Sequence, residues 1–397
     1  MIDVWENAPP VETGLDAEQA AALAGSELVK VRAGPRAGRY RLSANGMVGV
    51  ARVAGLDLRV HPKTPIERLL FLFGYAHDRA TWHTEPVDAT ERPDLLTVIA
   101  HAFARAADRA LRQGVLLGYR EMEEALPVVR GRIRVDEQIR RHYGMPLPVE
   151  VRYDDHTIDI AENRLLLAAS RRLLRLTGVP QRVRSGLRRV EARLPGVTPP
   201  VPGAPPPRWS PDRRNSRYRA ALHLAELVLR GASYELDDGR TVRVDGLMLA
   251  MAKVFEDFVA AAFGDELCRA GGRCVTQDRS HFLDARRRVE TKPDLVWYRT
   301  GPDGLDTPAA VLDAKYKTDQ PTADVYQMLA YCTAFDLTHG HLIYAAGTAP
   351  AVHHDIRGGR IEITAHALNL DQPPEDLLTD VGHIATEIHD EVRTEVR

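Results

Sequence analysis

The stretch Ala309-Ala310-Val311-Leu312-Asp313-Ala314-Lys315 is an apolar run that ends in an acid and a lysine two residues apart. A short uninterrupted apolar run of this kind reads as a strand buried on both faces. In a strand, residues i and i+2 share a face, so Lys315 points where Asp313 points while the Ala314 side chain turns away. Upstream, Pro293-Asp294 opens a second apolar run, Leu295-Val296-Trp297-Tyr298. Glu256 lies in Lys253-Val254-Phe255-Glu256-Asp257-Phe258-Val259, inside an apolar helix. Downstream, Gln327 and Tyr331 stand four apart on one face of a helix predicted over Ala323 to Phe335.

These residue types in this order suit phosphodiester hydrolysis. Two carboxylates at adjacent strand ends, Asp294 and Asp313, can share a hard divalent cation with a phosphate oxygen and water. Glu256 is positioned to complete the metal shell or to orient its water, and the Ala314 carbonyl offers a further oxygen. An ammonium at Lys315 can orient or help deprotonate the attacking water and offset charge on the phosphorane. An acid two residues before a lysine means little alone, because a chain with six lysines is expected to show about one by composition. Glu290-Thr291-Lys292 is such a match. It follows Arg286-Arg287-Arg288 with no apolar run feeding it, and it reads as a solvated strand end.

Around this core the chain divides by composition. Residues 1 to 65 carry a helix signal at Leu15 to Leu28 and short strands at Glu27 to Val31, Arg39 to Leu42, Met47 to Arg52 and Leu56 to Val60. Helices follow at Pro65 to His77 and Asp94 to Gln113, and strand-like alternation returns from Tyr119 to Arg134. Asp159-Ile160-Ala161-Glu162 has the form of a capping box, with Asp159 as N-cap of a helix through Leu176. The run from Pro195 to Pro207 is too rich in proline and glycine to pack and reads as a semi-rigid linker. Beyond it, helices at Arg213 to Arg230 and Gly246 to Phe263 precede strands near Cys274, Leu295, Val311, Leu342 to Tyr344 and Arg360 to Ile363. The boundaries expected are an α+β region over 1–194, a linker over 195–211 and an α/β domain over 212–397.

The chain has 397 residues and a formal net charge of −2, which conceals an uneven distribution. Arg130 to Arg219 holds 20 Arg and no Lys against 9 acids, whereas residues 371–397 hold 2 Arg against 8 acids. A basic middle in a neutral chain points to a local polyanion or acidic-partner surface, or to solvated helix faces. Arg130, Arg132 and Arg134 alternate and would share one strand face. Arginine outnumbers lysine 47 to 6, so each lysine stands where arginine was the default. Lys63, in His61-Pro62-Lys63-Thr64-Pro65, reads as an exposed turn lysine. Three cysteines without CxxC spacing exclude a disulfide framework and a cysteine zinc site, and the histidines, His353-His354 included, lack zinc spacing. With no apolar run of membrane-spanning length and no secretory leader pattern, a cytoplasmic location is expected. No GxxxxGK[ST] occurs, so the chain is not expected to hydrolyse GTP unaided.

Pro-Asp, then Asp-x-Lys, then Gln-xxx-Tyr resembles the pattern of PD-(D/E)xK nucleases. Gly118-Tyr119 through Val129-Arg130-Gly131-Arg132-Ile133, then Tyr153 to Arg164, then Val254-Phe255-Glu256-Asp257-Phe258-Val259 resemble McrC, the nuclease subunit of modified-cytosine-dependent McrBC restriction systems. The likeness runs from about residue 115 to 335; the proline-rich linker departs from it. The resemblance implies an α+β adaptor region followed by an α/β PD-(D/E)xK restriction-endonuclease-like domain with a central mixed sheet. It further implies that an N-terminal part docks with a hexameric AAA+ GTPase of McrB type and stimulates GTP hydrolysis, while the C-terminal domain cuts double-stranded DNA. The partner usually reads the modified base. Metal ligation by Glu256, Asp294 and Asp313 to Mg²⁺ or Mn²⁺ is expected, with Lys315 acting on water and charge and Gln327 and Tyr331 positioning. Two other functions share these residues: an autonomous repair or recombination nuclease, and a GTPase-activating scaffold whose carboxylates are structural.

Overall fold

A computed structural model describes residues 1–77, 94–201, 206–231, 233–235, 241–243, 245–301, 304–317, 322–345, 347, 350–358 and 360–395. The chain forms two compact units, one of Met1–Thr90 with Met248–Arg397 and one of Glu91–Leu247.

The first unit is built on a six-stranded mixed sheet in the order Arg273–Thr276, Leu295–Thr300, Asp306–Lys315, His339–Tyr344, Glu362–Ala367 and Val352–Asp355. The first three strands run antiparallel, the next two join in parallel, and the edge strand is antiparallel again. Asp306–Lys315 is thus a central strand, as its apolar run predicts, with Val311 and Leu312 fully buried. Val352–Asp355 was not anticipated, because Val-His-His-Asp has no apolar face to alternate. One face of the sheet, with Val296, Val311, Leu342 and Ile363, packs against Met328, Tyr331, Cys332 and Phe335 of the helix Thr322–Phe335. The two layers meet at Gly340, where a Cβ would come within 2.6 Å of Cys332 Sγ. Each fully buried side chain of this size stabilises the layer by roughly 1.5–3 kcal/mol. Helices Met251–Arg269 and Pro374–Glu395 pack against each other and on the sheet. The second of them buries Leu377, Val381, Ala385, Ile388 and Val392, a stripe at helical spacing.

The N-terminal residues belong to this same unit and not to a separate adaptor running to residue 194. Ile2–Trp5 pairs in parallel with Leu56–His61, which pairs antiparallel with Met47–Val53. Helix Ala17–Ser26 opens with a full capping box between Asp16 and Gln19. Helix Ile66–His77 packs on Met251–Arg269, with Phe71 and Tyr75 rings 5.9 and 5.7 Å from that of Phe258. Five consecutive apolar residues, Leu69 to Phe73, are all buried, and a helix apolar all round must be covered on several sides. The helix predicted from Gly246 begins only at Met251; Asp245–Ala250 is a strand, and Met251 N donates to Gly46 O at 3.0 Å.

The second unit combines helices Leu95–Leu111, Ala161–Arg175, Gln181–Ala192 and Arg219–Arg230 with a three-stranded sheet. In that sheet Gly118–Leu126 and Arg132–Ile133 flank Val149–Thr157, both antiparallel to it. The expected linker lies inside this unit, with residues 202–205 outside the described ones. On one side Thr198 N donates to Asp159 Oδ1 at 2.8 Å, and on the other Trp209 Nε1 donates to Glu226 Oε1 at 3.0 Å. Hydrogen bonds on both flanks hold the proline-rich run to its own unit.

Asp159 is not the N-cap of the following helix. Ile160 holds that position, and no side chain caps it. Asp159 is drawn off by Thr198 and by an ion pair with Arg120, and Glu162 accepts from Asn215 Nδ2 at 3.0 Å. Tertiary partners have outcompeted the local box. Arg130, Arg132 and Arg134 do not form one strand face either. Only Arg132 is in a strand; Arg130 pairs with Asp155, and Arg134 pairs with Glu123 at the start of helix Val135–Arg141. Among the described residues no helix is long and apolar enough to cross a membrane.

Candidate active site

The antiparallel pairing of Leu295 with Leu312 brings the residue before one strand beside the end of the other. Asp294 and Asp313 therefore meet at the ends of these two strands, and both are buried. Asp294 Oδ1 accepts from Gln277 Nε2 at 2.6 Å, and Oδ2 accepts from the Ala314 amide at 2.9 Å. A carboxylate has about four lone pairs, so both Asp294 oxygens keep acceptor capacity.

Lys315 lies on the Asp313 side of the strand, as the two-residue period requires. Its ammonium forms an ion pair with Asp313 Oδ2, off the line of a hydrogen bond. Its aligned hydrogen bond goes to Gln327 Oε1 at 2.8 Å. Gln327 Nε2 in turn donates to the Tyr331 hydroxyl at 2.8 Å, and that hydroxyl donates to the Lys292 carbonyl at 3.2 Å. This chain of bonds fixes which way the Gln327 amide faces and where the ammonium stands. Gln327 and Tyr331 are thus brought together with Lys315.

Glu256 approaches from helix Met251–Arg269, with Lys253 Nζ 3.6 Å from its carboxylate. Burial raises its pKa, and the charge of Asp294 raises it further. Burial also pushes Asp313 up, to about 7, with the charges of Asp294 and Glu256 adding and Lys315 opposing. The Tyr331 hydroxyl is raised to about 12 by burial and by the Asp313 charge. Each of the three carboxylates lies within the field of the others, in a desolvated corner where like charges are costly. Among the described residues no group of three or more His, Cys, Asp and Glu side chains is placed to hold a metal ion. The donor chemistry nonetheless suits a hard divalent cation: these are oxygen ligands, and burial together with like charge makes a bound cation favourable beside Asp313.

Two contributors escaped the sequence reading. Gln277, which holds Asp294, sits just past a strand in the left-handed region at φ 52°. Nothing in Thr276-Gln277-Asp278 signals that role. Tyr316, next to Lys315, donates to Glu6 Oε2 at 3.1 Å, and the Lys63 amide donates to the same oxygen at 2.9 Å. Lys63 is half-buried, not an exposed turn residue. Its ammonium lies 4.2 Å from the Tyr316 ring centre and donates to Ala345 O at 3.4 Å. Burial lowers its pKa against the pull of Glu6. The rarity of lysine was the one available signal.

The sequence matches the McrBC 5-methylcytosine restriction system component model over residues 42–345. No curated relative matches it. In fold it is similar to a chain of the refined half-complex from the tetradecameric assembly of Thermococcus gammatolerans McrB AAA+ hexamers with bound McrC. That chain is 17% identical at a TM-score of 0.57, covering 98% of this chain and 99% of that one. A chain of the cryo-EM structure of the T. gammatolerans McrBC complex is 20% identical at a TM-score of 0.40, covering 67% of this chain and 88% of that one. The family match spans most of the sequence and includes the site strands, and by it this chain belongs to the McrBC 5-methylcytosine restriction system component family.

Proposed function

We propose that the chain is the DNA-cleaving subunit of a McrBC-type restriction complex, hydrolysing phosphodiesters in double-stranded DNA with Mg²⁺ or Mn²⁺. The observation that carries this is the meeting of Asp294, Asp313 and Lys315 at the ends of two paired inner strands, with Glu256 within reach of their charge. Asp294 and Asp313 would hold the cation and Glu256 would complete the shell or orient its water, with substrate phosphate and water supplying the remaining ligands. When bound, the cation supplies Lewis-acid stabilisation of phosphate charge and a more acidic water. Lys315, held by Gln327, would orient the attacking water and offset the charge growing on the phosphate. Tyr331 anchors Gln327, and Gln277 anchors Asp294. This is PD-(D/E)xK chemistry, and it needs no further cofactor.

The same reading assigns GTP hydrolysis to a hexameric AAA+ partner of McrB type. The second unit offers a surface for such a partner. Val128, Val129, Ile139, Tyr143, Met145 and Leu147 are 53–85% exposed around the sheet and helix Val135–Arg141. So many large apolar side chains left in water along one segment mark a binding surface.

The test is cleavage of modified and unmodified plasmid DNA with Mg²⁺, with and without the AAA+ GTPase of the system and GTP, for wild type and Lys315→Ala. Cleavage that needs the partner and GTP and is lost on substitution is the expected result. Survival of cleavage in Lys315→Ala places the active site elsewhere. Cleavage by the wild type alone means an autonomous nuclease. GTPase stimulation without cleavage under any condition means a scaffold.

A further inference from the structure

The segment between Gln277 and Asp294 forms a closed loop whose base is the site itself. Gln277 N donates to Asp294 O at 3.2 Å, closing the base. On one flank Asp278, buried, accepts from the Tyr298 hydroxyl at 2.6 Å, and the His281 ring stacks on Phe335 at 4.1 Å. On the other flank the Lys292 carbonyl accepts from Tyr331, and Thr291 Oγ1 donates to His281 O at 2.8 Å. A bridge between Phe282 and Glu290 and a bond from Leu283 N to Val289 O at 2.9 Å carry the order outward. At the tip, Asp284 Oδ1 accepts from the amides of Arg288 and Val289, each at 2.7 Å. This is a built arm, cross-braced from base to tip, of the compact kind that carries function.

Its charges are sorted. From Asp278 to Lys292 there are five basic residues and three acids. All three acids are spent inside the loop or at its root: Asp278 on Tyr298, Asp284 on backbone amides, Glu290 on Arg279 at 3.3 Å. The exposed tip therefore presents Arg286, Arg287 and Arg288 in series. Arg287, at φ 55°, lays its guanidinium over the Phe282 ring at 4.7 Å; among the described residues Arg286 and Arg288 have no ion-pair partner. Three guanidinium groups in water, on a braced arm rooted at a phosphodiester-cleaving site, are suited to phosphate oxygens.

We propose that the Asp278–Lys292 loop is a DNA-gripping arm, whose Arg286, Arg287 and Arg288 hold the backbone phosphates of duplex DNA and deliver the strand to Asp294, Asp313 and Lys315. The proposal rests on the nuclease reading and adds to it the element that binds substrate. Such contacts act on phosphates whatever the bases, so they set affinity and its salt dependence, not sequence choice.

The experiment measures binding of the full-length chain to a short duplex without divalent metal, alone and with its AAA+ GTPase, across salt concentrations. Changing Arg286, Arg287 and Arg288 together to Gln should make the slope of log K against log salt shallower by about 2–3. Changing the same three to Lys should hold the slope. Stimulation of GTP hydrolysis should be retained in both. If the triple Gln chain fails to fold, Arg286→Gln with Arg288→Gln, which leaves Arg287 on Phe282, should lower the slope by about 2. An unchanged slope with a wild type that binds duplex overturns the arm and leaves the nuclease reading standing. An unchanged slope with lost GTPase stimulation overturns it in favour of an acidic surface on the AAA+ partner. A wild type that neither binds nor cuts duplex under any condition removes the nuclease reading and the arm with it.

Discussion

Two regions of this protein are built from the same side chains and use them oppositely. On the three-stranded sheet of the second unit, Arg152 pairs with Glu121 and Glu123, Arg130 with Asp155, and Arg134 with Glu123, mostly in solvent. Where two inner strands of the six-stranded sheet begin and end, Asp294 and Asp313 are buried beside the Lys315 ammonium, with Lys253 and the half-buried Glu256 nearby. On the exposed sheet these paired charges also keep contact with water, so removing one changes little. In the buried corner desolvation first, and the like charges of Asp294 and Glu256 after it, push the Asp313 carboxyl up to about 7. Burial, and not the presence of ion pairs, separates a reactive cluster from a solvated one.

This contrast can be broken at several points. The largest effect is expected at Lys315. Lys315→Ala should lower single-turnover cleavage about 10³-fold, while GTPase stimulation by the AAA+ partner stays. A fall in both together would show that the lysine supports the fold and not the chemistry. Asp313→Asn should lower cleavage no further than Lys315→Ala does, with a second signature in stability. Because the folded pKa of Asp313 is raised, its stabilising contribution is complete below its ordinary value of 3.8 and is lost as pH rises through about 7. The variant should therefore melt above the metal-free wild type at pH 8, by no more than about 4 kcal/mol, and match it near pH 4. Mg²⁺ should raise the wild-type Tm at pH 8 and leave the variant unmoved. A wild type indifferent to Mg²⁺ would remove the cation from the corner.

Gln327→Ala sharpens the comparison at smaller scale. The ammonium would keep Asp313 and lose its aligned bond, so cleavage should fall about tenfold with the pH profile displaced. Loss as large as that of Lys315→Ala would make Gln327 part of the chemistry itself. The smallest effect is expected on the exposed sheet, where Arg152→Ala should leave the thermal melt unchanged. A clear drop in Tm there would show that the surface pairs act as a cooperative network.

Much of the site was legible in the chain because its geometry is local. A buried apolar run sets a strand, a strand sets the shared face of Asp313 and Lys315, and a helix sets the shared face of Gln327 and Tyr331. Proline spacing misled, since composition reports a segment's stiffness and not what its flanks bond to. The capping box at Asp159 failed for a related reason: Thr198 and Arg120, distant in sequence, offered the carboxylate better partners than the helix amides.

By itself the sequence determined the strand and helix that carry the candidate site, because these depend on periods of two and 3.6 along the chain, and its motifs in their order carried the family likeness. Only the tertiary structure decided that the first ninety residues join the sheet unit, that Gln277 and Tyr316 with Glu6 and Lys63 complete the surroundings of the site, and that Asp313 titrates near neutrality. Each of those depends on which distant groups share a buried volume, and desolvation there is a property of the packed neighbourhood that no local spacing encodes.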